Sequence, residues 1–184
     1  MLPDSNIGYV FFTLMRPYIK WFKLSDNVHI YLANIMTRMI EYHPNTLVEL
    51  FAKSQTEDPQ LQVEYWTELA DRCLFVAGCF PESLPKQGLS FDWVFKMAEN
   101  GYKASANMGN DIVRDIHRDI YIEISHNIIE SAWVMRETYI EVQLLEIHDI
   151  NVIYDFFIRS QSMAAQRKLQ ELGFHFANGD DTEE

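Results

Sequence analysis

The run Cys73-Leu74-Phe75-Val76-Ala77-Gly78-Cys79-Phe80 constrains this chain more than any other segment. It continues a helix that begins amphipathic, with Glu68, Asp71 and Arg72 still on it, and then turns apolar on every side until Pro81 stops it. A helix that is wet on no face belongs in the middle of a core. The segment Trp66 to Phe80 is therefore expected to be the central element of an all-helical domain.

The rest of the chain supports that class. A length of 184 residues suits one domain, or one with appendages. Seven glycines and six prolines leave few turn signals, which favours a few long helices over many short strands. The expected fold is an all-α, single-domain bundle of about six to seven helices. Residues 1–24 form an apolar N-terminal arm or helix, 25–176 the helical domain, and 177–184 a disordered acidic tail.

The helices can be placed from period and caps. An apolar patch covers Ile7 to Leu24, kinked or divided by Pro17. Ser25 or Asp26 caps a second helix, on which Val28, Tyr31, Leu32, Ile35, Met36 and Met39 share a face. His43-Pro44-Asn45 ends it, and a short helix follows from Thr46 to about Ala52. Pro59 or Gln60 opens the helix that reaches Phe80, with Tyr65, Trp66, Leu69, Cys73, Ala77 and Phe80 on one side. Ser90 caps Phe91 to about Met108, and Gly109-Asn110 break the chain. Asp111 starts a helix with Val113, Ile116, Ile120, Ile124 and Ile128 inward, which can run to Glu146. A final helix covers Ile150 to about Leu172, with Gly173 as its C-cap glycine.

Charge and cysteine usage narrow the functional classes. The net charge of −12 disfavours a nucleic-acid binder, which needs a basic surface to displace counterions. Cys73 and Cys79, at helical spacing, point about 120° apart, so they are poorly placed to bridge each other. They read as small buried hydrophobes in a reducing compartment. The apolar run Ile7 to Met15 is too short to span a bilayer and lacks a basic n-region, so the default is a cytoplasmic protein with no membrane partner.

Three blocks carry a resemblance. Leu69-Ala70-Asp71-Arg72-Cys73-Leu74-Phe75 with Gly78-Cys79-Phe80-Pro81-Glu82-Ser83-Leu84 is the first, and Phe91-Asp92-Trp93 through Met97-Ala98 to Gly101-Tyr102 the second. Tyr154-Asp155-Phe156-Phe157-Ile158-Arg159-Ser160-Gln161-Ser162 is the third. Together they resemble an uncharacterised family of small, all-helical bacterial proteins. Ala70 and Ala98 stand where that pattern has glycine, and Trp93 where it has tyrosine. The resemblance implies an all-helical fold and a bacterial source, and carries no activity, cofactor or catalytic residue.

The sharpest chemical candidate is the stripe Asp119, Glu123, His126 and Glu130, within about 60° of one helix face. Glu123 and His126 make a Glu-x-x-His unit, the spacing used by carboxylate-bridged di-iron bundles. Such a site needs a second unit, and the chain has none; Glu41-Tyr42-His43 and Glu146-Ile147-His148 have the wrong spacing. The stripe otherwise reads as the solvated face of an amphipathic helix, and Arg114-Asp115 with Arg118-Asp119 as surface ion pairs.

Asp71 and Arg72 sit where the helix enters its apolar stretch, so they need partners or a ligand. One reading places them on the last wet turn, bonded to a neighbouring helix end. Arg159 is similarly placed after Phe156-Phe157, and a buried Asp71–Arg159 pair would fix register. Asp71, Arg72 and Arg159 are thus the candidate buried polar or ligand site.

No nucleophile elbow, phosphate loop or dinucleotide fingerprint is present, and the six histidines are scattered. No cofactor and no catalytic residue is expected. The first functional expectation is a non-enzymatic helical protein that acts by binding a protein partner of unknown identity or itself. A homodimer through residues 1–24 is the sharper form. The alternative is a metal-dependent helical-bundle enzyme using Glu41, Glu123 and His126.

Overall fold

The computed structural model describes residues 6–40, 46–108 and 115–176, all of them helix or connecting turn, with no strand. In chain order the α-helices are α1 (Asn6–Phe22), α2 (Asp26–Ile40), α3 (Leu47–Lys53), α4 (Pro59–Cys79), α5 (Phe91–Asn107), α6 (Asp115–His126), α7 (Ile128–Leu144), α8 (Ile150–Ser160) and α9 (Met163–Glu171). Two short 3-10 turns, Pro81–Ser83 and Pro85–Gln87, link α4 to α5. The expected segments 41–45, 109–114 and 177–184 lie outside the described residues, and with them Glu41, His43, Val113, Arg114 and the acidic tail.

The chain divides into two compact units, residues 1–136 and 137–184. In the first, α4 is the hub. It packs along α5 and also meets α2 and α3, while α1 lies on α2 and α6 on α5. Leu69, Ala70, Cys73 and Leu74 of α4 are fully buried, and Phe80, just past its end, emerges, 39% exposed, with its ring edge on Phe75. In the second unit, α8 packs on α9.

Helix starts follow from side-chain caps. Thr46 and Glu49 form a reciprocal capping box on α3. Asp58 caps α4 with Pro59 in its first turn, Ser90 caps α5, Asp149 caps α8 and Ser162 caps α9. Gly173 follows α9 with φ +87°, in the left-handed conformation glycine adopts without a Cβ penalty.

The nine α-helices among the described residues exceed the expected six to seven because two long helices are broken without glycine or proline. The helix expected to run on to Glu146 stops at His126. The Asn127 side chain donates to the Glu123 carbonyl, and its backbone N–H is shared between Glu123 and Ile124, so a local amide competes with the helical ladder. The helix expected over Ile150 to Leu172 stops at Ser160. Gln161 turns left-handed at φ 51°, and the buried Glu137 of α7 then accepts from the Ser162 hydroxyl (2.7 Å) and the Ala164 N–H (2.8 Å). A carboxylate on the N-terminus of α9 offsets the cost of the break.

Two further expectations are corrected. Pro17 does not divide α1, which runs through it. Pro17 and Thr13 are both exposed, so the Thr13 carbonyl that loses its donor is open to water. Ile116, expected inward, is 51% exposed, whereas Ile120, Ile124 and Ile128 are buried.

Close helix approach depends on two glycines. A Cβ on Gly78 would lie 2.9 Å from the Ala132 carbonyl oxygen and 3.1 Å from Met135 Cβ on α7. A Cβ on Gly101 of α5 would lie 2.8 Å from both Ala70 Cβ and the Trp66 carbonyl oxygen. The α-helical penalty of glycine is about 1 kcal/mol against alanine, and overpacking costs about 1–3 kcal/mol. Gly101→Ala and Gly78→Ala are each expected to lower the thermal midpoint, because backbone must shift; a raised midpoint for either shows that the helices stand further apart.

His29 pins α1 to α2. Its ring stacks on Phe12 at 4.0 Å, and Nε2 lies 2.7 Å from the Phe12 carbonyl oxygen. Burial pulls its pKa below 6.5, opposed by that carbonyl and by Asp26. A histidine with a depressed folded pKa contributes stability that is present above its unfolded value and lost as pH falls through the folded one. Stability measured by denaturant titration should therefore decline as pH falls below about 6.5, and His29→Phe, which keeps the stack, should flatten that part of the profile.

Candidate functional site

Helix α4 enters the apolar core at Asp71, and the structure supplies that charge with partners from two other helices. Asp71 is completely buried. The Tyr31 hydroxyl of α2 donates to Oδ1 at 2.8 Å, and the Tyr102 hydroxyl of α5 donates to the same oxygen at 2.7 Å. Arg38 of α2 donates from Nη2 to Oδ2 at 2.5 Å. One carboxylate thus joins α2, α4 and α5, all within the first unit.

Aromatic rings enclose the carboxylate. Tyr31 meets Tyr102 and Tyr121 edge-on at 6.3 and 5.8 Å, and Tyr102 lies against Tyr121 at 5.9 Å. Burial pushes the Asp71 carboxyl above its ordinary value of 3.8, while Arg38 and the two hydroxyls pull it back. Burial and then the nearby Asp71 charge push Tyr31 and Tyr102 well above 10, so both stay protonated as donors. For Arg38, burial acts downward, and Asp71 more than offsets it.

Above this knot is an open cleft of about 700 Å³, between α2, α4 and α6. Arg38, Thr67, Glu68, Asp71, Arg72 and Tyr121 contribute to its lining. Arg72, nearly buried, donates to Glu68 one turn earlier at 2.7 Å. Thr67 donates to Ser105 of α5 at 2.9 Å, tying the cleft wall to the neighbouring helix.

The sequence candidates separate. Asp71 and Arg72 share the cleft, and Asp71, although not on a wet turn, bonds a residue in the last turn of a neighbouring helix, α2. Its cation is Arg38, not Arg159, which is exposed near the end of α8. The carboxylate reaches Arg38 because Tyr31 and Arg38 are seven residues apart and share one face of α2. That spacing was the available signal for the missing partners.

Of the candidate metal residues, Glu41 lies outside the described residues. Glu123 caps α2, accepting from the Ser25 N–H at 2.7 Å, with the Ser25 hydroxyl accepting from Val28. Asp119 and His126 are exposed. Among the described residues no group of three or more His, Cys, Asp or Glu could hold a metal ion. Cys73 and Cys79 are free and buried; burial pushes the Cys73 thiol up to about 12 and Cys79 further, which suits apolar packing and not nucleophilic chemistry.

No helix among the described residues is long and apolar enough to cross a membrane. No protein-family model matches the chain, and neither a curated protein nor a solved structure is similar to it. The three-block resemblance therefore assigns neither a family nor an activity.

A raised carboxyl pKa sets the sign of a pH effect. The native state holds the Asp71 proton more tightly than the unfolded chain, so its contribution is full below about 3.8 and is lost as pH rises through the folded value. Asp71→Asn should be most destabilising relative to wild type near that lower limit, with the gap narrowing as pH rises. Asp71→Ala should cost more, about 1–3 kcal/mol for each tyrosine hydroxyl left without an acceptor. Chemical denaturation across pH checks both, and equal costs for the two variants at every pH would contradict the network.

Proposed function

We propose that this chain is a non-enzymatic helical protein that acts by self-association through the outer face of α1. The supporting observation is a second apolar stripe on that helix. Phe11, Met15, Tyr18 and Ile19 are buried against the chain's own core. Beside them Ile7, Val10, Leu14, Pro17 and Trp21 follow steps of three and four residues and fall within about 80° of one another. Ile7, Val10 and Trp21 are 45%, 41% and 69% exposed, although a tryptophan is ordinarily well covered. Steps of three and four are the spacing of a helix–helix seam.

Charge favours a second copy as the occupant. Helix α1 carries no acidic residue, and its cations Arg16 and Lys20 lie in its C-terminal half, on the arc away from the stripe. A two-fold axis perpendicular to α1 pairs it with its mate antiparallel, so each cationic half meets an uncharged half. A parallel pair would place like charges side by side. Seventeen residues span about 25 Å, which gives a small interface and hence a concentration-dependent dimer.

Sedimentation velocity over a range of concentrations tests the reading. The wild type is expected to shift from monomer toward dimer, and Trp21→Lys, at an exposed position, to remain monomeric with an unchanged circular dichroism spectrum. A wild type that is monomeric throughout, or a Trp21→Lys chain that dimerises equally, would overturn it.

A further inference from the structure

The cleft over Asp71 has a division of labour that stability alone does not require. Both oxygens of Asp71 are occupied, Oδ1 by two tyrosine hydroxyls and Oδ2 by Arg38. Asp71 is therefore a positioning residue, with little acceptor capacity left for anything in the cleft. What it positions is the Arg38 guanidinium. That side chain is 57% exposed and lines the cleft, and a guanidinium has five N–H donors, of which the Asp71 contact uses one. A guanidinium clamped on one edge and open on the other is an oxyanion anchor.

The opposite charge stands further along the same wall. Glu64 is exposed, lines the cleft, and has no hydrogen bond or ion pair among the described residues. Glu68 is already engaged by Arg72. Glu64 and Asp71 are seven residues apart on α4, which at 1.5 Å per residue places them about 10 Å apart along the axis. Arg38 is bonded to Asp71, so the anchor and the free carboxylate belong to positions about two turns apart along the cleft wall. A ligand that reaches both must therefore carry its opposite charges well apart, not on one carbon.

We propose that this cleft binds an elongated zwitterion, a dipeptide or a basic amino acid, with its carboxylate on Arg38 and its ammonium group at Glu64. Thr67 and Tyr121 add polar atoms between the two ends. The α-ammonium and carboxylate of a simple amino acid are too close together to reach both. A volume of about 700 Å³ lies within the range of small-molecule sites.

Isothermal titration of the full chain with alanyl-alanine and with L-lysine is the test, with glycine, acetate and methylamine as single-site controls. Alanyl-alanine or lysine is expected to bind at least about tenfold more tightly than any control. Arg38→Gln and Glu64→Gln should each weaken that binding by about tenfold or more, and neither should alter binding of the control that lacks the charge it recognises. Glu64→Gln changes an exposed side chain with no partner among the described residues, so it reports on the site even if Arg38→Gln disturbs the fold. No binding of either zwitterion, affinity no better than acetate, or undiminished affinity in Glu64→Gln overturns the proposal.

Discussion

The first unit depends on one buried carboxylate. Asp71 lies at the point where α4 leaves solvent, and an ionised group there must be paired and hydrogen-bonded or it destabilises the fold. Tyr31, Arg38 and Tyr102 meet that requirement, and in doing so they fix α2 and α5 against α4 in one register. The glycine approach at Gly101 lies on the same pair of helices, so polar network and close packing specify the same α4–α5 contact. Arg38 then serves two environments, bonded to the core at Oδ2 and open to the cleft.

Much of this architecture was legible in the sequence. The apolar run from Cys73 identified α4 as central, and Ser90 and Thr46 sit at the helix starts where they were expected. The breaks at Asn127 and Gln161 were not legible. Neither is a glycine or proline, and each depends on a partner found only in the folded chain, a competing side-chain amide in one case and the distant Glu137 in the other. Asp71 was recognisable as a charge in need of a partner, but its partners are 31 to 40 residues away, and although Tyr31 and Arg38 share a face of α2, nothing local pairs that face with Asp71. Arg159 was a plausible cation by local context and is exposed on another unit. The role of Gly101 depends on Trp66 and Ala70, which reach it only when α4 packs on α5.

The surface divides in a way that bears on function. Helix α1 is pinned from beneath by His29 and the core, and its outer stripe is left apolar on a chain that is otherwise acidic. The cleft lies on other faces of the same unit, on α2, α4 and α6, and its polar chemistry has no counterpart on α1. The proposed association and the proposed ligand site therefore use separate residues, and a failure of either leaves the other standing.

The central claim is that Asp71, Tyr31 and Tyr102 act as one network and not as three independent core residues. A double-mutant cycle measures this directly, using equilibrium unfolding of Asp71→Ala, Tyr102→Phe and the combined variant, with a parallel cycle for Tyr31→Phe. The structure predicts strong non-additivity, with a coupling energy on the order of 1 kcal/mol or more in each cycle, because each substitution removes the same hydrogen bond. Additive effects within about 0.5 kcal/mol in both cycles would contradict it.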